Sequence, residues 1–135
     1  MTITHHAALV YTMVLVSAAD NNMPDVELQS IGDMVMHLPV FRDFDRGKLT
    51  QITSECAKLL QDKDGLEKAL GKVKEGLPEK LRETAYALAC DVAAADGKVT
   101  QEESRLLEMI RFRLNIGRLP AAAIERGSRA RHMQL

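Results

Sequence analysis

The chain has 135 residues, enough for one domain with a proper apolar core and no need of disulfide staples. Its residues are 46% apolar and 27% charged, which excludes a disordered chain, and a net charge of -1 excludes a global field that would gather nucleic acid or an acidic partner. Locally the charge is uneven: Asp20, Asp25, Glu27 and Asp33 lie ahead of the first basic residue, Arg42, whereas Arg111, Arg113, Arg118, Arg126, Arg129 and Arg131 face only Glu125.

In chain order, the apolar run over residues 3 to 19, with AALVYTMVLVSAA at its centre, predicts a helix buried on nearly every side. The run imitates the core of a signal peptide. However, MTITHH supplies no Lys or Arg ahead of it, and the run is too short to span a membrane. A matching segment, YALACDVAAAD, also lies deep in the chain, so the protein is expected to be cytoplasmic. Pro24 opens a second helix, with Val26, Ile31, Met34, Val35 and Leu38 on one face. Asp45 caps a third, where Leu49, Ile52, Cys56, Leu59 and Leu60 keep helical spacing. Leu66, Leu70, Val73 and Leu77 space a fourth helix that ends near Gly76-Leu77-Pro78.

Pro78 is well placed to start a fifth helix, apolar nearly all round and running to about Asp96. Thr100 begins a sixth, with Leu106, Leu107, Ile110 and Leu114 facing inward. Residues 120 to 131 form a seventh with a basic outer face, and a weakly ordered basic tail is expected over 127 to 135. No stretch alternates apolar and polar residues over a strand length. The expected fold is therefore all-α, a single compact bundle of about seven helices over residues 1–135.

The chain also repeats itself. Setting Asp20 over Asp96, at an offset of 76 residues, places Val16, Ala18, Ala19 and Glu27 on Val92, Ala94, Ala95 and Glu103. Ile31 and Met34 then fall on Leu107 and Ile110, so the inward faces stay in register. Each copy reads as a buried helix, a short acidic turn and an amphipathic helix, which predicts an internal pseudo-two-fold repeat with halves at about 5–40 and 80–116.

Two readings compete for the turn AADGKVTQEE, residues 94 to 103. In the first, Gly97 takes the left-handed conformation that ends a helix, and Thr100 with Glu103 forms a capping box. That explains Glu103 completely but not Asp96, whose carboxylate would meet the negative end of a helix dipole. In the first copy, AADNNMPDVE, Pro24 stands where the cap hydroxyl should be, yet Glu27 still follows Asp20 by the same spacing. Carboxylates on both sides of a tight turn, with turn carbonyls, are the ligands a hard divalent cation takes. Asp20, Glu27, Asp96 and Glu103 are accordingly the candidate metal ligands, for a divalent ion with calcium among the candidates. An EF-hand is excluded on spacing, because with Asp96 at position 1 Lys98 falls at position 3, Thr100 at position 5, and Glu103 comes too early for the closing glutamate.

The doubled AAD-x6-E pattern on a helical chain of this size resembles the TerB-like family, which includes tellurite-resistance proteins and the N-terminal region of a DnaJ-type membrane co-chaperone. The resemblance spans about residues 5 to 116. It implies a seven-helix bundle with an acidic metal-binding patch, acting in stress or metal resistance rather than catalysis. Asn21 in place of Gly97 and Pro24 in place of Thr100 depart from the second copy's pattern.

Other chemistries have less support. His5, His6, His37 and His132 form no HxxxH pair, and His5-His6 is expected in a frayed terminus. Cys56 and Cys90 belong to no CxxC pair and read as small buried thiols. No phosphate-cradling glycine loop and no GxSxG motif is present, so an enzyme is not expected. The arginine-rich end lacks the aromatics that stack bases, which argues against nucleic acid. The alternative function is a protein–protein interaction module whose acidic face docks a basic partner without metal. A homodimer is compatible with the sequence.

Overall fold

Among the described residues, which are 2–19, 25–95 and 97–135 of this computed structural model, seven α-helices and three short 3-10 turns account for the chain's order, with no strand. The helices are α1 (His5–Ser17), α2 (Asp25–His37), α3 (Leu49–Leu60), α4 (Gly65–Gly76), α5 (Arg82–Ala94), α6 (Gln101–Arg113) and α7 (Arg118–Arg131). The all-α expectation holds.

α1 starts where the Thr4 hydroxyl accepts a hydrogen bond from the Ala7 N–H at 3.1 Å. Every residue of α1 after His5 is buried, as a helix without a polar face requires. It packs against α2, α3, α4, α5 and α6, most extensively against α5. Thr12 is tolerated in this setting because its hydroxyl donates to the Ala8 carbonyl at 2.8 Å. α5 is the second central helix, burying Ala85, Tyr86, Leu88, Ala89, Cys90, Val92 and Ala93. It contacts α1, α2, α6 and α7, so α2 and α6 each lie against both central helices.

Several expectations need correction at element ends. Asp45 does not cap α3 directly: its carboxylate accepts from Gly47 N–H at 3.0 Å and caps a 3-10 turn, Arg46–Lys48, that feeds α3. Pro78 likewise opens a 3-10 turn, Glu79–Leu81, ahead of α5. α7 begins at Arg118, two residues before Pro120, because proline's missing N–H is harmless in a first turn. Residues 127 to 131, expected within a weakly ordered tail, are the end of α7, where Ser128 is buried and Arg131 bonds to Asp91 at 2.7 Å.

The frayed-terminus reading of His5-His6 is also overturned. Both lie in α1, and His6 is buried, its Nε2–H donating to the Val40 carbonyl at 2.8 Å. The His6 ring also lies against Phe41 and Phe44, with centroids 5.7 and 5.0 Å away. These contacts tie the start of α1 to the connection between α2 and α3. No helix among the described residues is long and apolar enough to cross a membrane.

Candidate functional site

The second acidic turn follows α5. Gly97 stands at φ +84 and its N–H donates to the Ala94 carbonyl at 2.9 Å, the left-handed helix stop that the sequence predicts. Gly97, Lys98 and Val99 are exposed, and Thr100 then caps α6. Both halves of the capping box are present: Glu103 N–H donates to the Thr100 hydroxyl at 3.1 Å, and Thr100 N–H donates to Glu103 Oε1 at 3.0 Å.

Capping boxes ordinarily sit at the surface, whereas Glu103 is only 2% exposed. Its position explains this. Glu103 heads the inward stripe that continues through Leu106, Ile110 and Leu114.

Glu27 shows the same placement. It is the third residue of a helix of 13 residues, as Glu103 is, and it is 1% exposed. The buried stripe of α2 is Glu27, Ile31 and Val35, at strict four-residue spacing. Val26, expected on that face, is instead 41% exposed. At about 100° per residue, Val26 lies some 140° from Ile31 around the helix, whereas Glu27 lies about 40° from it. The sequence reading put the valine inward on hydrophobicity, and the helical angle overrules it.

Asp20, Asn21, Pro24 and Asp96 lie outside the described residues. Of the four candidate ligands, the structure therefore places Glu27 and Glu103, and both are buried at helix starts beside the central pair. Among the described residues no three His, Cys, Asp or Glu side chains gather where they would hold a metal ion.

The basic end is partly committed to the fold. Arg113 pairs with Glu67 of α4, and Arg131 pairs with Asp91 of α5, so the arginines meet carboxylates from other helices rather than Glu125 alone. Glu125 instead accepts a hydrogen bond from the Tyr86 hydroxyl at 2.5 Å. Burial, followed by this bond to Glu125, pushes the Tyr86 phenol well above its ordinary range. Both cysteines are free and buried, and burial pushes each thiol up to about 12. A thiol held protonated at neutral pH is a poor nucleophile and a poor metal ligand, in keeping with a packing role.

Sequence reasoning missed one feature altogether. A cleft of about 930 Å³ opens between α5, α6 and α7, and its wall includes the Gly97–Val99 turn. No motif announces it, because Tyr86, Leu107 and Ser128 come from three helices at no characteristic spacing.

Fold and site together define a class: a seven-helix bundle built on two buried helices, with a glutamate sealed into the start of each of two flanking helices. Comparison with known families agrees. The family model described as tellurite resistance protein TerB matches residues 6–125, most of the chain, and the protein belongs to that family. No curated protein and no solved structure matches it significantly.

Proposed function

We propose that this chain is a non-enzymatic, cytoplasmic domain of the tellurite-resistance type that serves a stress response by binding a divalent cation through its paired acidic turns. Asp20 and Glu27 supply the ligands of one turn, and Asp96 and Glu103 those of the other. The carrying observation is the burial of Glu27 and Glu103 at equivalent positions of α2 and α6.

Removing an ionised carboxylate from water costs several kcal/mol unless hydrogen bonds or an opposite charge compensate. A carboxylate offers about four lone-pair sites, and the Thr100 N–H takes one on Glu103. That bond also fixes the orientation of the carboxylate, which is how outer partners prepare a metal ligand. Oxygen donors alone suit a hard ion such as Ca²⁺ or Mg²⁺ better than a thiophilic one. The protonated thiols of Cys56 and Cys90 add nothing to such a site and offer no activated nucleophile, which favours a binding role over catalysis.

Melting curves with EDTA, Ca²⁺, Mg²⁺, Mn²⁺ or Zn²⁺ test the reading on wild type and on Asp20→Asn/Asp96→Asn. A cation at 100 times its Kd stabilises the folded state by about 2.7 kcal/mol, which raises Tm by several degrees. The double variant is expected to lose that rise. Should no cation move the wild type more than the variant, the metal reading is wrong and docking of a basic partner on the acidic face takes its place.

A further inference from the structure

Two helices turn faces of opposite charge to solvent, each with apolar residues left uncovered. α3, α4, α5 and α6 all carry charges of both signs. α2 has Asp25, Glu27 and Asp33 and neither Lys nor Arg, whereas α7 has Arg118, Arg126, Arg129 and Arg131 against Glu125. Both helices pack on α5.

Glu27 is buried, so Asp25 and Asp33 set the sign of the outer side of α2. Val26 and Met36, 41% and 53% exposed, share that side. At about 100° per residue, Val26, Asp33 and Met36 fall within roughly 80° of one another, opposite the buried stripe. Arg46 reaches the far end of the helix, past Asp33, and donates to the Met36 carbonyl at 3.0 Å.

α7 inverts the charge. Glu125 and Arg131 are turned onto α5, against Tyr86 and Asp91. Arg118, Arg126 and Arg129 remain outside and form no ion pair among the described residues. A helix lying on a bundle ordinarily turns polar residues outward. On α7, exposed Leu119, Ala123, Arg126 and Ala130 instead follow one another at spacings of three and four residues, with Leu119 80% exposed. That is an apolar stripe with one cation in its middle.

The two faces also match in dimension. α2 has 13 residues and α7 has 14, so both are about 20 Å long. Asp25 and Asp33 are eight residues apart, as are Arg118 and Arg126. Pairing α7 with the α7 of another copy would instead set Arg126 against its own equivalent. A net charge of -1 leaves little overall repulsion between copies.

We infer that the outer face of α7 docks on the outer face of α2 of a second copy. Arg118 and Arg126 meet Asp25 and Asp33 there, while Leu119 and the alanines cover Val26 and Met36. The contact is head-to-tail, so every copy offers both faces. One helix against another is a small interface, which suits reversible association in the micromolar range. None of the proposed cation ligands takes part.

Sedimentation equilibrium of the whole protein in EDTA therefore tests the contact apart from the cation reading. At about 0.1 M salt, where charges act over about 10 Å, the protein is expected to associate as its concentration rises. At about 1 M salt, where that range falls to about 3 Å, association should weaken at least tenfold. Asp25→Lys/Asp33→Lys and Arg118→Glu/Arg126→Glu should each stay monomeric alone. Mixed in equal amounts they should associate again, because each keeps one native face and the two altered faces complement each other. All four positions are exposed, so both variants should keep the fold, which circular dichroism verifies. A wild type that stays monomeric, association that survives either reversal, or a mixture that fails to associate would each overturn the assignment. Binding of a monomeric wild type to phosphatidylglycerol vesicles, lost in Arg118→Glu/Arg126→Glu, would overturn it in favour of an anionic lipid surface.

Discussion

Glu103 is both a cap and a buried acid, and its neighbour Thr100 separates the two roles. Replacing Thr100 by alanine removes the hydroxyl that accepts Glu103 N–H but leaves the Glu103 carboxylate in place. Such a loss at an N-cap costs about 1 kcal/mol. Urea unfolding of Thr100→Ala should show that loss equally in EDTA and in divalent cation, whereas Asp20→Asn/Asp96→Asn lowers stability only when the cation is present. The sequence made the box legible because Thr and Glu at N-cap and N3 form a local pattern. It did not make the burial of Glu27 or Glu103 legible, since a carboxylate on an inward stripe contradicts what hydrophobicity alone predicts. Only the angle around the helix, which places Glu27 above Ile31, reveals it.

At the scale of elements, the tightest constraint lies at the corner between α3 and α4. Asp64 stands at φ 60, and a Cβ on Gly65 would sit 2.1 Å from the Leu59 carbonyl oxygen and 2.9 Å from Leu60 Cα. The obstacle is backbone, so no rotamer change relieves it. Gly65→Ala is expected to cost about 1–3 kcal/mol, the range of an overpacked core, as a lower urea midpoint with an unchanged slope. The sequence located α4 and its stop at Gly76-Leu77-Pro78, because glycine and proline act through local backbone preferences. It did not show the 3-10 turns before α3 and α5, whose short runs lack the periodicity that identifies a helix. Nor did it show His6 against Phe41 and Phe44, a contact set by how α1 crosses the α2–α3 connection.

For the molecule as a whole, the two buried thiols couple stability to alkaline pH. Burial raises Cys56 and Cys90 from 9.0 to about 12, so the folded chain keeps protons that the unfolded chain releases. Their contribution is complete below pH 9 and disappears as pH rises towards 12. Melting temperature should therefore hold steady up to pH 8 and fall across the alkaline range. The fall should be shallower in Cys56→Ala/Cys90→Ala, even if that variant is less stable at neutral pH.

The central position of α1 also has a cost during synthesis. Its main partner α5 begins 77 residues later in the chain. At the usual rate of about 5–20 residues per second, α5 follows α1 out of the ribosome by roughly 4–15 s. For that interval one of the most apolar helices of the bundle lacks its most extensive partner and has only α2, α3 and α4 to bury against as they emerge, and it is the segment on which a nascent-chain chaperone would have to act.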